Sequence, residues 1–303
     1  MKKLIKNFLN KIPYIKGLRS HYSLFQKNSC FPPGHYYSPI VSVDEIKERE
    51  EQIWEAIDSP QVMGVDLNVT RQKELLGQLS TYYSDLPFKE DKTQGLRYFF
   101  ENDMYLYTDG IVLYSLMRNL KPKQIIEVGS GYSSALMLDV NQRYFDNSIQ
   151  LNFIEPYPER LLKNIREEDK RTSTILKKKV QEVDVSFFEK LNGGDILFID
   201  STHVSKTGSD VNYIFFEILP ILKKGVWIHF HDIFYPFEYP KSWVYEGRNW
   251  NENYMLRAFL MNNEDYRIQL FSHYMHLHHE EYFKDMPLTF KNKGGNIWLQ
   301  KVN

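Results

Sequence analysis

From residue 121 to its end, the chain alternates short apolar runs with amphipathic stretches, and this alternation constrains the fold more than any other feature. The runs at 124–128, 151–154, 173–176, 196–199, 226–230, 268–271 and 297–299 have the length and the β-branched or aromatic content of strands. Segments at 133–141, 159–168, 186–191, 210–222 and 254–260 lie between them and read as helices. A strand, a helix and a second parallel strand close only through a right-handed crossover. Repeated units therefore build a mostly parallel sheet with helices on both faces. In such sheets ligands bind beyond the carboxyl ends of the strands, where the strand order switches. Chemistry is to be sought at each strand end.

The expected fold class is α/β, a Rossmann-like doubly wound sheet of about seven strands over residues 95–303. Residues 1–94 form a helical N-terminal extension and cap. Residues 1–19 read MKKLIKNFLNKIPYIKGLR. Lysines interrupt the apolar stretch and no small-residue cleavage site follows, which argues against a signal peptide. Leu4, Ile5, Phe8, Leu9 and Ile12 share one face at helical spacing, so the arm is amphipathic. It suits packing on its own domain, on a partner, or on an anionic membrane surface. No run of about 18 apolar residues is present, so no transmembrane helix is expected.

Charge and cysteine usage narrow the partners. The formal net charge of −1 gives no global basic field, so nucleic acid is not an expected partner. The single cysteine, Cys30, excludes an internal disulfide framework and any multi-cysteine metal site, and it fits a reducing, cytoplasmic setting. Oligomeric state is not readable.

The run 124–128 leads directly into Gly129-Ser130-Gly131 and then into a helix. Glycines there permit a tight turn and a close approach of ligand to backbone. The next strand ends at Glu155, about 24 residues after Gly131, close to the spacing at which a carboxylate meets both hydroxyls of a ribose. A dinucleotide fingerprint would place a third glycine where Ser134 stands. Carboxylates at Glu127 and Glu155 suit a cationic sulfonium ligand better than a pyrophosphate, with Glu127 expected to face the cationic end. Asp200 and Asp232 end two further strands, with His203 and His231 beside them. Three uses of Asp200, His203, His231 and Asp232 remain open at this point. They can serve as general base and orienting carboxylates, as a divalent-metal site formed by Asp200, His203 and Asp232, or as structural hydrogen bonds. His229 shares a face with His231 and reads as a core histidine. The crowded His273, His276, His278 and His279 fit no zinc spacing and read as a loop. Tyr98, Phe99, Phe100, Tyr105 and Tyr107, and the segment 234–240, are candidate walls of an acceptor pocket.

The block Glu127-Val128-Gly129-Ser130-Gly131-Tyr132-Ser133-Ser134 resembles the first motif of class I S-adenosylmethionine-dependent methyltransferases. The blocks Phe198-Ile199-Asp200-Ser201-Thr202-His203 and Ile228-His229-Phe230-His231-Asp232-Ile233-Phe234 resemble the subgroup called methyltransferase family 24, over roughly residues 95–303. The resemblance implies S-adenosyl-L-methionine as cofactor. It implies that Gly129, Ser130, Gly131 and Tyr132 surround its methionine portion, Glu155 its ribose and Gln181 its adenine. Ile233 stands where some metal-dependent relatives carry a second amide or acid, so a metal is not implied with equal force. The expected activity is methyl transfer to a small-molecule acceptor, on the oxygen of a sugar or other secondary metabolite. A nicotinamide-dinucleotide oxidoreductase and a non-catalytic adenosine-binding scaffold are the alternatives.

Overall fold

The computed structural model of the chain describes Leu9 and residues 12–303. Leu4, Ile5 and Phe8, three of the five residues expected on the apolar face of the arm, lie outside the described residues. Two compact units are present, one of Met1–Ile53 with Lys241–Asn249 and one of Trp54–Pro240 with Trp250–Asn303.

In the smaller unit, helix α1 (Pro13–Asn28) starts on a proline, whose missing N–H would have no partner in a first turn. Glu50 accepts from the Tyr245 hydroxyl and lies 3.5 Å from the Lys241 ammonium, which joins 241–249 to this unit.

The larger unit holds a seven-stranded sheet in the order β3-β2-β1-β4-β5-β7-β6. Its strands are β1 (Gln124–Val128), β2 (Gln150–Ile154), β3 (Thr174–Leu176), β4 (Ile196–Ile199), β5 (Trp227–His231), β6 (Tyr266–Phe271) and β7 (Asn296–Lys301). Strands β1 to β5 pair in parallel, while β7 runs antiparallel to both β5 and β6. Every residue of β1, β4 and β5 is buried, as a parallel sheet covered on both faces requires; β4 is apolar throughout, while β1 buries Gln124 and Glu127 and β5 buries His229 and His231. The chain winds from β1 to β2 on one side and returns to β4 on the other. The carboxyl ends of β1 and β4 therefore form the switch point.

Helices α2 (Val69–Ser80), α3 (Tyr107–Leu120), α4 (Tyr132–Tyr144) and α5 (Glu252–Leu260) belong to this unit. The first eleven residues of α3 are all buried, Tyr107 to Met117, so this apolar helix runs through the core. The helix expected over 210–222 is interrupted. An α-turn at Asp210–Tyr213 passes into a π-turn at Ile214–Ile218, just ahead of Pro220, which has no N–H to donate to the ladder.

The histidine-rich stretch is a helix, Ser272–His278, and not the expected loop. Tyr274 and Met275 bury one side of it. His276 stacks on Phe283 with ring centroids 3.7 Å apart, and His273 Nδ1 accepts from the Tyr235 N–H at 3.0 Å. Both rings are packing elements, and burial lowers the basicity of each.

Candidate active site

Strand β1 ends in a turn whose shape depends on glycine. Gly129 has φ +80°, and a Cβ placed there would come within 1.8 Å of the Asp200 carbonyl oxygen. The turn of β1 and the end of β4 are thus in backbone contact, which brings the glycine loop to Asp200. Gly131 caps α4, and its N–H donates to Ser134 Oγ at 3.0 Å.

Beneath this loop Glu127 is fully buried. Its carboxyl accepts from the Ser133 hydroxyl at 2.5 Å and from the Ser134 hydroxyl. Burial pushes its pKa up to about 8, against the pull of those two hydroxyls. It lines neither of the cavities described below. The expected approach of Glu127 to a cationic ligand is therefore not what its position offers. The side chain ties the first turn of α4 to β1 and so holds the shape of the loop.

Two adjoining cavities open over the carboxyl ends of the strands. The first, about 370 Å³, is lined by Glu155, Tyr157, Val180, Gln181 and Asp210 among others. The second, about 350 Å³, is lined by Gly129 to Ser133, Arg160, Asp200, His203, His231, Asp232, Met104, Tyr105 and Trp250. Glu155 and Asp200 border both. The Glu155 carboxylate accepts from the N–H groups of Ser130 (3.2 Å) and Tyr157 (2.8 Å), which fixes it at the junction. Gln181 donates to the Gly208 carbonyl at 2.9 Å, and its own side-chain oxygen is buried without a protein partner.

The second cavity is floored by a charged cluster. His203 Nε2 lies 3.4 Å from Asp200 Oδ1 and 3.5 Å from Asp232 Oδ2, while its Nδ1 lies 2.8 Å from Glu252 Oε2. Glu252 is fully buried on α5, and the Ser201 hydroxyl donates to its other oxygen at 3.1 Å. The His203 carbonyl accepts the N–H groups of Asn251 and Glu252, so the backbone of His203 caps the helix that supplies its own carboxylate partner. His203 and Asp232 both sit at positive φ, +60° and +55°, a region that residues other than glycine seldom occupy and that recurs at functional sites. Burial alone would lower the pKa of His203, but hydrogen bonds to Asp200 and Glu252 and the charge of Asp232 raise it well above the usual histidine value. Burial raises the Asp232 carboxyl, with His231 and His203 pulling it back down.

A family model described as a methyltransferase domain matches residues 126–233, the stretch from β1 to just past Asp232. The match supports a methyltransferase domain over those residues. The chain is an S-adenosylmethionine-dependent enzyme, and the oxidoreductase and scaffold alternatives are set aside. An uncharacterized protein of Archaeoglobus fulgidus is 34% identical over 164 residues, which span 53% of this chain and 73% of that one. Similar solved structures include TomG, an O-methyltransferase of Streptomyces achromogenes involved in tomaymycin synthesis, in complex with S-adenosylmethionine. It is 16% identical, with a TM-score of 0.42, over 77% of this chain and 99% of that one. The Podospora anserina methyltransferase PaMTH1, bound to S-adenosylhomocysteine, is 14% identical, with a TM-score of 0.41, over 91% and 100%.

In the methyltransferase, Asp200, His203, His231 and Asp232 converge on one cavity with Gly129, Ser130, Gly131 and Tyr132, while Gln181 lines the adjoining one. His231 Nε2 is 3.6 Å from Asp232 Oδ1, and its Nδ1 is buried without a protein partner. His229 is stacked on Phe198 at 3.9 Å and lies in the core, as expected, although neither ring nitrogen is hydrogen-bonded. The aromatic walls divide differently from the expectation. Tyr98 and Phe100 pack edge-on against Phe88, and Tyr235, Phe237 and Tyr239 are buried, so of both groups only Tyr105 lines the cavity. Trp250, whose ring centroid is 4.4 Å from that of His203, and Met104 complete the wall.

Met104 was missed in the sequence, as were Glu252, Trp250 and Arg160. Glu252 is 49 positions from His203 with no motif of its own. Trp250 is just before it. Arg160 stands five residues after Glu155, and its Cδ would lie 3.2 Å from a Cβ on Gly131. It forms no ion pair among the described residues. The excess of acids at the strand ends was the one available signal that a cation had to stand nearby.

Proposed function

We propose that the enzyme methylates the oxygen of a small-molecule acceptor, a sugar or other secondary metabolite, with Asp200, His203 and Asp232 holding a divalent cation beside the acceptor hydroxyl. The observation that carries this reading is the disposition of His203. Its Nδ1 is committed to the buried Glu252, which leaves Nε2 directed at two carboxylates it does not bond closely. One ligand atom from each of Asp200, His203 and Asp232 falls within 4.8 Å of the others. A carboxylate behind a histidine whose other nitrogen meets further carboxylates is the usual outer-shell support of a metal ligand. The raised pKa of His203 points the same way, because the site stabilises positive charge between its acids. An oxygen-rich set with one imidazole suits magnesium or manganese. Such a cation supplies Lewis acidity to a hydroxyl, and S-adenosylmethionine supplies an electrophilic methyl group.

The residues of the chain bind, orient and hold protons around these groups. Gln181, with its unpartnered oxygen, suits the amino group of an adenine, and Glu155 at the junction of the cavities suits a ribose. The loop 129–132 suits the methionine portion, whose carboxylate finds a free guanidinium in Arg160. His231, which lines the cavity, is the residue we assign to take up the proton of the acceptor. Tyr105 and Trp250 wall the acceptor.

The test is methyl transfer from labelled S-adenosylmethionine to a panel of hydroxylated metabolites, with and without a chelator. Turnover lost on chelation and restored by magnesium or manganese is the expected result. Full turnover in the chelator would instead leave His203 and His231 as bases acting without metal.

A further inference from the structure

Helix α1 lines neither cavity, and none of its sixteen residues is buried. At 100° per residue, Tyr14, Ile15, Leu18, Tyr22 and Phe25 fall on one side of the helix, and Lys16, Ser20, Ser23 and Lys27 fall on the other. Tyr14, Leu18 and Tyr22 are 73%, 49% and 63% exposed. A continuous apolar stripe this open marks an interaction surface on a folded chain.

Charge identifies the partner. Between Lys2 and Lys27 the sequence holds seven Lys and Arg residues, and no Asp or Glu occurs before Asp44. The remaining chain carries 31 basic against 39 acidic residues, a net −8, so the positive charge is segregated into the segment that bears the stripe. We propose that α1 lies flat on an anionic lipid bilayer, its stripe at the acyl boundary and its lysines over the headgroups. Tyr14 and Tyr22 in the stripe favour this interface, where their rings meet lipid and their hydroxyls meet water. No described helix is long and apolar enough to cross a membrane, so the helix lies on the surface and does not span it. A second copy of the chain is a poorer occupant, because two such segments repel each other.

The experiment is co-sedimentation of the full chain with vesicles of phosphatidylcholine alone and of phosphatidylcholine with phosphatidylglycerol. Pelleting with the anionic vesicles alone is expected. It should weaken as salt shortens the screening length from about 10 Å at 0.1 M to about 3 Å at 1 M. Lys16→Glu with Lys27→Glu should lower the partition coefficient by about fivefold or more per residue, given the attraction of each cation for an anionic surface. Leu18→Glu with Tyr22→Glu should abolish pelleting at either salt. Both variants replace unburied side chains, so both should keep the melting temperature of the parent. Equal pelleting with neutral vesicles, no pelleting at all, or pelleting indifferent to Leu18→Glu with Tyr22→Glu would overturn the proposal. A dimer dissolved by that same variant, without vesicle binding, would reassign the stripe to self-association.

Discussion

Two charge clusters in the larger unit each gather carboxylates around one basic side chain and end in opposite electrostatic states. Around Arg97, the guanidinium meets Asp139 at 2.7 Å and Asp169 at 2.5 Å and 2.7 Å, and it also donates to Gln142. Asp139 Oδ2 takes the backbone N–H groups of Arg97 and Tyr98, and Asp169 Oδ2 takes that of Arg166 as well as the guanidinium Nε–H. Every polar atom there has a near partner within the fold. Around His203, three carboxylates face one imidazole, and two of them stand 3.4 Å and 3.5 Å away, too far for good hydrogen bonds. The first cluster is closed, and the second is held open toward a cavity at a standing electrostatic cost. A cost retained beside a cavity marks function, whereas closure marks architecture.

The open cluster depends most heavily on His203. His203→Ala should reduce methyl transfer by about 10²–10⁴-fold, the range typical of a lost acid–base or metal-holding group. S-adenosylhomocysteine binding, measured by calorimetry, should change little. Asp232→Asn should also abolish most turnover, yet leave the melting temperature of the ligand-free enzyme unchanged or raised, because it removes one of three crowded acids. A large fall in melting temperature would show that the cluster is structural after all. Arg97→Ala should do the reverse. Leaving Asp139 and Asp169 buried and unpaired should cost about 3–5 kcal/mol of stability, measured by denaturant unfolding, with normal affinity for S-adenosylhomocysteine in whatever fraction remains folded.

The closed cluster and the open one were unequally legible in the sequence. Gly129, Asp200 and Asp232 could be found because each sits at the end of a short apolar strand, where position along the chain reports position over the sheet. Strands β1, β4 and β5 declared themselves through continuous burial. Arg97, Asp139 and Asp169 gave no pattern, since their bonds join a loop to two separate helices. Glu252 was hidden for a related reason. It reaches His203 only because the His203 carbonyl caps α5, a tertiary contact that leaves no local spacing. The aromatic segments were misjudged in use, because alternating Tyr and Phe read alike whether they wall a pocket or fill a core. Only the fold shows Tyr105 at the cavity and Tyr98 and Phe100 behind it.

Glu127 stands between the two clusters, a buried acid satisfied by hydroxyls and by no cation. Its folded pKa of about 8 stands above the ordinary value of 4.5. The folded state therefore prefers the neutral acid. This contribution to stability is fully present below pH 4.5 and is lost as pH rises through 8, at a slope approaching about 1.4 kcal/mol per pH unit between those values. A glutamine at this position would mimic the neutral acid, since its amide can donate to one serine oxygen and its carbonyl can accept from the other hydroxyl. Glu127→Gln should thus match the parent in melting temperature near about pH 5 and exceed it near about pH 9. Parallel curves for the two proteins across that range would show that Glu127 is ionised when buried.

The smallest effect, and the one that separates positioning from chemistry, is expected at Glu252. This carboxylate lines neither cavity, and it acts on the site by fixing Nδ1 of His203 and by accepting from the Ser201 hydroxyl. Glu252→Gln keeps the shape and can still accept from Nδ1–H through its carbonyl, but it withdraws the negative charge behind the imidazole. Loss of such outer-shell support typically lowers metal affinity or activity by about 10–100-fold. If His203 holds a metal, the loss should appear as a raised metal requirement, and saturating magnesium or manganese should restore most of kcat. If His203 is a base acting alone, excess metal should restore nothing, and the loss should persist in kcat at every metal concentration. A merely structural Glu252 would lower the melting temperature and leave the metal titration of the surviving activity where it was.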